Sequence, residues 1–148
     1  MRRIVMPLLE AFRPDVLVTQ MGVDALRSDP LARLELTTGS LELAARMFRA
    51  TAFPWVILGG GGYDKFNVAR GWALIWAVAI GAELPDAIPP GFARTADRLG
   101  KRLTSLRDPH RLALPDDYGR AQRSLDRSLA FLERRLFPFH RLTPGGCG

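Results

Sequence analysis

Two short stretches hold the side chains whose types and spacing could do chemistry. Gly22-Val23-Asp24 closes one apolar run, Asp15 to Met21, and Gly59-Gly60-Gly61-Gly62-Tyr63 closes another, Trp55 to Leu58. A glycine run at the carboxyl end of a strand lets the main chain take up positive φ and lets a ligand come close to it. In open α/β sheets ligands bind at that end of the strands. If the two runs are neighbouring strands, Asp24 and Tyr63 share one rim. A phosphate cradle is a poor match, because Gly59 to Asp64 breaks the GxGxxG pattern at its last position. Lys65 also lacks the preceding glycine and following Ser/Thr of a P-loop. A tight turn with a satisfied tyrosine hydroxyl is the plain alternative, although four consecutive glycines exceed what a turn needs. Asp24 could equally cap a turn or pair with Arg27.

The other reactive residues are few. The single cysteine, Cys147, excludes an intrachain disulfide and any CxxC metal pattern. The two histidines, His110 and His140, lie in the carboxyl-terminal part and are expected at the surface.

The elements that must position these residues alternate. Arg2 to Phe12 has helical composition, with Pro7 against its first half and Arg13-Pro14 ending it. Asp15 to Met21 is short, β-branched and almost unbroken in apolar character, which predicts a strand covered on both faces. A polar loop over Val23 to Thr38 leads to Ser40, a good N-cap for a helix from Leu41 to about Thr51. Its stripe is Leu41, Ala44, Ala45 and Phe48. Trp55 to Leu58 predicts a second buried strand, and the glycines lead into a helix from about Phe66 to Ile80. Apolar residues cover most of that helix's circumference, so Trp55, Trp72 and Trp76 are expected in the core. Asn67 and Arg70 are expected to support the loop. This βαβα order predicts a parallel sheet in an α/β fold. Two strands are too few to bury what such helices present, so the chain is expected to be part of a larger domain.

Beyond the proline-rich stretch Glu83 to Gly91 the balance of charge changes. Residues 1 to 90 carry 9 Lys+Arg and 9 Asp+Glu, whereas residues 91 to 148 carry 12 and 6, so the whole net charge of +6 falls in the second part. Asp116 or Asp117 could cap a helix to about Leu136, with Leu125, Leu129, Leu132 and Leu136 at helical spacing. A solvated helical face explains this charge, and with no nucleic-acid fingerprint present a nucleic-acid partner is not expected. The longest apolar stretch, Trp72 to Ala82, falls short of the ~20 residues that span a bilayer. Nothing near Met1 has the form of a signal peptide, so a cytoplasmic location is the expectation.

Several motifs in one order carry a family resemblance. Gln20-Met21-Gly22-Val23-Asp24-Ala25-Leu26, Asp29, Leu34-Glu35-Leu36-Thr37, Pro54 to Tyr63, Asn67-Val68-Ala69-Arg70 and Trp72 are similar to the carboxyl-terminal third of zinc-dependent histone deacetylases. The four-glycine form resembles the class I and bacterial acetoin-utilisation branch. The resemblance spans about Pro14 to Pro90. It implies the carboxyl-terminal portion of a parallel-sheet, three-layer arginase/deacetylase-type fold, incomplete here. Residues 1–90 would belong to the catalytic domain and 91–148 to a basic, mainly helical extension.

By the same resemblance Asp24 is the last zinc ligand. Tyr63 is the phenol that donates to the substrate carbonyl as it becomes an oxyanion, and Gly60, Gly61 and Gly62 line the substrate channel. The substrate would be acetyl-lysine or an acetylated small amine. The family's histidine pair and its Asp-x-His zinc ligands match nothing here. The missing amino-terminal part of the domain is therefore an implied partner, and the chain alone is expected neither to hold zinc tightly nor to hydrolyse. A non-catalytic, truncated homologue acting as an interaction module is the alternative.

Overall fold

The computed structural model describes residues 1–109 and 118–143. In chain order the elements are α1 (Val5–Phe12), β1 (Leu17–Gln20), α2 (Thr38–Arg49), β2 (Trp55–Leu58), α3 (Lys65–Ile80), α4 (Pro90–Arg98), α5 (Tyr118–Leu136) and a 3-10 turn, Phe137–His140. They divide into two compact units, one of Met1–Asp15 with Arg111–Gly148 and one of Val16–His110.

In the first unit α1 begins at Val5, later than Arg2. Pro7 falls in its first turn, where a missing N–H costs no helical bond. Arg13, at φ 50°, ends it with its N–H on Leu9 O at 2.9 Å. Arg3 holds the buried Glu133 of α5 through Nε at 3.0 Å and Nη2 at 2.9 Å. Phe137 is buried in the turn that follows α5, and His140 in that turn is half-buried. The leucine stripe of α5 is not a packed face, since Leu125 and Leu132 stay exposed. The caps expected at Asp116 or Asp117, together with His110 and Cys147, lie outside the described residues.

The second unit is built on β1 and β2, which pair in parallel with Leu17 opposite Trp55 and Gln20 opposite Leu58. The architecture is α/β, as the alternation predicts. The core of Met21, Val23, Leu26, Leu41, Ala45, Ile75 and Val78 joins α2 and α3 to the sheet, with Trp55, Ile57, Val68 and Trp72 packed against it. Leu17 and Thr19 share the covered face with Trp55 and Ile57, and the Trp55 indole N–H donates to Thr19 Oγ1 at 2.9 Å. Val18, Val56 and Leu58 are exposed on the other face. The expectation of strands covered on both faces is thus corrected, because among the described residues only the first face receives core side chains.

Three further corrections have local causes. The loop from Val23 to Thr38 is not merely polar, since Val23 and Leu26 are core residues and a backbone bridge joins Leu26 to Leu36. Helix α2 starts at Thr38, leaving Ser40 inside it. Its first N–H is capped from afar: Thr38 N–H donates to Asp108 Oδ2 at 2.9 Å, while Asp108 N–H returns a bond to Thr38 Oγ1 at 2.8 Å. Trp76 is 62% exposed and not in the core. Helix α4 was not foreseen, although Pro90 at its first turn and Gly100 (φ 76°) just past its end are fitting punctuation. No helix among the described residues is long and apolar enough to cross a membrane.

Candidate active site

Beyond Gln20 and Leu58 the two chains keep running side by side. Met21 N–H donates to Leu58 O at 2.9 Å and Val23 N–H to Gly61 O at 2.7 Å. This continued pairing brings the segment 22–24 against the glycine loop. A Cβ on Gly60 would lie 2.8 Å from Gly22 Cα, and one on Gly62 would lie 2.7 Å from Val23 Cγ2 and 2.9 Å from Val68 Cγ2. A Cβ on Gly61 would enter the van der Waals shell of Asp24 Oδ2 and stand 2.5 Å from its Cγ. Gly59, whose nearest neighbour would be Trp72 at 3.6 Å, is the one glycine of the four with ordinary room.

That spacing revises why the glycines are there. None of Gly59 to Gly62 has positive φ; the described glycines that do are Gly81 and Gly100. Positions 60 to 62 need glycine for close approach to another loop, and not for a left-handed backbone.

Asp24, half-buried, rests its carboxylate on Gly61 at the carboxyl end of the strand pair. Among the described residues it makes no side-chain hydrogen bond and no ion pair. The pairing with Arg27 does not occur, because Arg27 takes Glu35 at 3.0 Å. Tyr63 follows Gly61 by two residues, and its side chain is 57% exposed and makes no hydrogen bond to Asp24.

Sequence reasoning assigned no role to Asp29, yet this residue positions Tyr63. Its Oδ2 accepts the Tyr63 N–H at 2.8 Å, and its Oδ1 accepts those of Leu31 at 2.9 Å and Ala32 at 3.1 Å. Burial opposes its charge, but backbone N–H groups of Tyr63, Ala32, Leu31 and Asp64 outweigh that effect and hold the carboxyl below its ordinary value. The signal available beforehand was an acidic residue ahead of Pro30, a common turn former.

The helix after the loop is fixed just as closely. Asp64 caps α3 by accepting the N–H groups of Phe66 (2.9 Å) and Asn67 (3.3 Å), and it also takes the Ser28 hydroxyl at 2.6 Å. Burial works against its charge, while Ser28, these two N–H groups and Lys101 together lower its pKa. Asn67 Nδ2 donates to Ser28 Oγ, and Arg70 donates to Asn67 Oδ1 and to Asp108 Oδ1, each at 2.9 Å. Asn67 and Arg70 therefore act as the supports the sequence suggested.

A zinc site needs three protein ligands. Among the described residues no three of His, Cys, Asp and Glu come together, so Asp24 as a single carboxylate does not fit a zinc centre by itself.

Residues 1–79 match the model of the histone deacetylase domain. Histone deacetylase 1 of Oryza sativa subsp. japonica is 42% identical over 82 residues, covering 55% of this chain and 16% of that protein. Histone deacetylase 6 of Arabidopsis thaliana is 31% identical over 134 residues, covering 88% of this chain and 28% of that protein. The likeness to the Arabidopsis protein thus continues well past residue 79, and the chain spans under a third of either relative.

Proposed function

Because the chain belongs to the histone deacetylase family, we propose that it supplies one part of a zinc-dependent hydrolase that removes acetyl groups from acetylated amines, acetyl-lysine foremost. The observation that carries this reading is the Asp24 carboxylate lying against Gly61, two residues before Tyr63, where parallel strands end. Asp24 would contribute one ligand to the metal, whose remaining ligands come from polypeptide outside these 148 residues. Tyr63 would donate its O–H to the amide oxygen as that oxygen gains negative charge. The main chain of Gly60, Gly61 and Gly62 would form one wall of the acyl channel. A cytoplasmic location belongs to the same reading.

The test uses a chimera in which residues 16–81 replace the matching stretch of the rice relative. Turnover of an acetylated peptide is expected, with Tyr63→Phe lowering kcat about 10²- to 10³-fold and Asp24→Asn lowering zinc content. Full activity in the Tyr63→Phe chimera would refute the assignment. The 148-residue chain alone is expected to lose zinc on dialysis and to leave the peptide intact; stoichiometric zinc with turnover would overturn that part.

The open face of the sheet, with Val18, Val56 and Leu58 exposed, favours a second reading. In it the chain is a non-catalytic module that uses this face to bind another polypeptide. An inactive chimera that still folds and binds zinc would favour the second reading.

A further inference from the structure

At the end of β2 opposite the glycines, the unit Val16–His110 carries an open concavity of about 360 Å³. Four of its eight lining residues are aromatic: Phe48 at the end of α2, Phe53 in the following turn, Trp55 of β2 and Trp76 of α3. Phe48 and Trp55 meet with ring centroids 6.1 Å apart at 48°, which makes one wall a fixed pair of rings. Trp55 has already given its indole N–H to Thr19, so it offers the cavity an apolar face. Trp76 is 62% exposed and Ile80 is 59% exposed, which leaves two large apolar groups bare at the rim of a concave, aromatic site.

One charged residue belongs to this lining. Arg49 is exposed and, among the described residues, makes no side-chain hydrogen bond and no ion pair. The acids on α2 and just after α3 have other partners: Glu42 pairs with Arg107 at 2.9 Å, and Arg46 lies 3.7 Å from Glu42 and 3.5 Å from Glu83. The guanidinium rests over the α3 C-cap, where a Cβ on Gly81 would lie 2.5 Å from Arg49 Nη2. The partial negative charge of a helix carboxyl end steadies a cation without neutralising it. A guanidinium presents parallel N–H donors that suit a carboxylate.

We infer that this cavity is a binding site for a small aromatic carboxylate, its ring between Trp55 and Trp76 and its carboxylate on Arg49. The volume lies within the ~300–1,000 Å³ common for small-molecule sites. The site is independent of the glycine loop, so it stands or falls apart from the deacetylase reading.

The experiment titrates the isotope-labelled chain with 2-naphthoate and, separately, with the neutral 2-naphthamide, following the indole N–H signals of the three tryptophans. Saturable shifts are expected with 2-naphthoate, larger at Trp55 and Trp76 than at Trp72, with a dissociation constant of about 1 mM or tighter. Arg49→Met should weaken 2-naphthoate about tenfold, the low end for a charge-assisted hydrogen bond, and leave 2-naphthamide unchanged. Trp76→Ala, at an exposed position that folding tolerates, should weaken both. The site is refuted if Trp55 and Trp76 show no saturable shift in that range. Equal binding of acid and amide, with Arg49→Met silent, refutes the carboxylate assignment.

Discussion

Replacing Gly61 with alanine puts the juxtaposition of the two loops under direct strain. The added Cβ would stand 2.5 Å from Asp24 Cγ, about 0.9 Å inside the 3.4 Å at which ordinary contact begins. All three of its nearest neighbours are atoms of Asp24, on a segment whose own backbone is tied to Gly61 O by the 2.7 Å bond from Val23 N–H. Either the Asp24 carboxylate must turn off Gly61 into another rotamer or the two loops must part, so the cost should be that of overpacking, about 1–3 kcal/mol. Urea unfolding followed by tryptophan fluorescence reads the relevant unit, because Trp55, Trp72 and Trp76 all lie in it. The decisive comparison is a double-mutant cycle. In an Asp24→Ala background the clashing atoms are gone, and Gly61→Ala should cost less than about 0.5 kcal/mol, a coupling of about 0.5 kcal/mol or more. Gly59→Ala, with 3.6 Å to its nearest neighbour, is the control expected to be near neutral in this contact. An equal cost for Gly61→Ala with and without the Asp24 carboxylate would show that the two loops do not touch as described.

Other outcomes follow from the supports. Arg70→Met leaves Asp108 and the Asn67 side-chain carbonyl without their 2.9 Å partner, and breaking so buried a pair should cost about 3 kcal/mol in the same urea assay; a loss under about 1 kcal/mol would deny the network any structural weight. Asp29 and Asp64, where burial is outweighed by hydrogen bonds, and Asp86, held mainly by the Ser105 hydroxyl and then the Arg107 N–H, all have pKa values below 3.8 in the folded chain. Their stabilisation is therefore complete above that ordinary carboxylate value and is lost as pH falls through the lower folded values. Stability measured from pH 6 to pH 2 should fall in the acid part of that range, less steeply in Asp29→Asn, and an unchanged acid limb in that variant would contradict the assignment.

Much of this was written locally in the chain. Trp55 to Leu58 reads as a strand from its apolar β-branched run, and α3 reads as a helix from the apolar residues that cover most of its circumference; the structure adds Asp64 and Gly81 as its caps. The meeting of Asp24 with the glycine loop followed once the two strands were taken as parallel neighbours. What escaped was set by contacts between distant residues. The start of α2 depends on Asp108, seventy positions away, and the hold on Tyr63 depends on Asp29, thirty-four positions away. Trp76 looked like core from its type, but its place on α3 turns it outward. The glycines were expected to serve backbone freedom and ligand approach; the neighbouring segment, with Gly22 against Gly60, Asp24 against Gly61 and Val23 against Gly62, explains three of them, and no reading of positions 59 to 62 alone could supply it.

The stretch from Lys101 to Asp108 reaches back to α2 and α3 through three charged tethers: Lys101 to Asp64 at 3.5 Å, Arg107 to Glu42 at 2.9 Å, and Asp108 to both Arg70 and the first turn of α2. Anyone trimming this polypeptide at the proline-rich stretch near residue 90 would cut those moorings while leaving β1, β2, α2 and α3 in place. The shortened product would keep its hydrophobic centre yet lose what braces the cap of α3 beside Tyr63. Substitutions in this outlying stretch can thus retune the phenol's footing without altering a single residue around it.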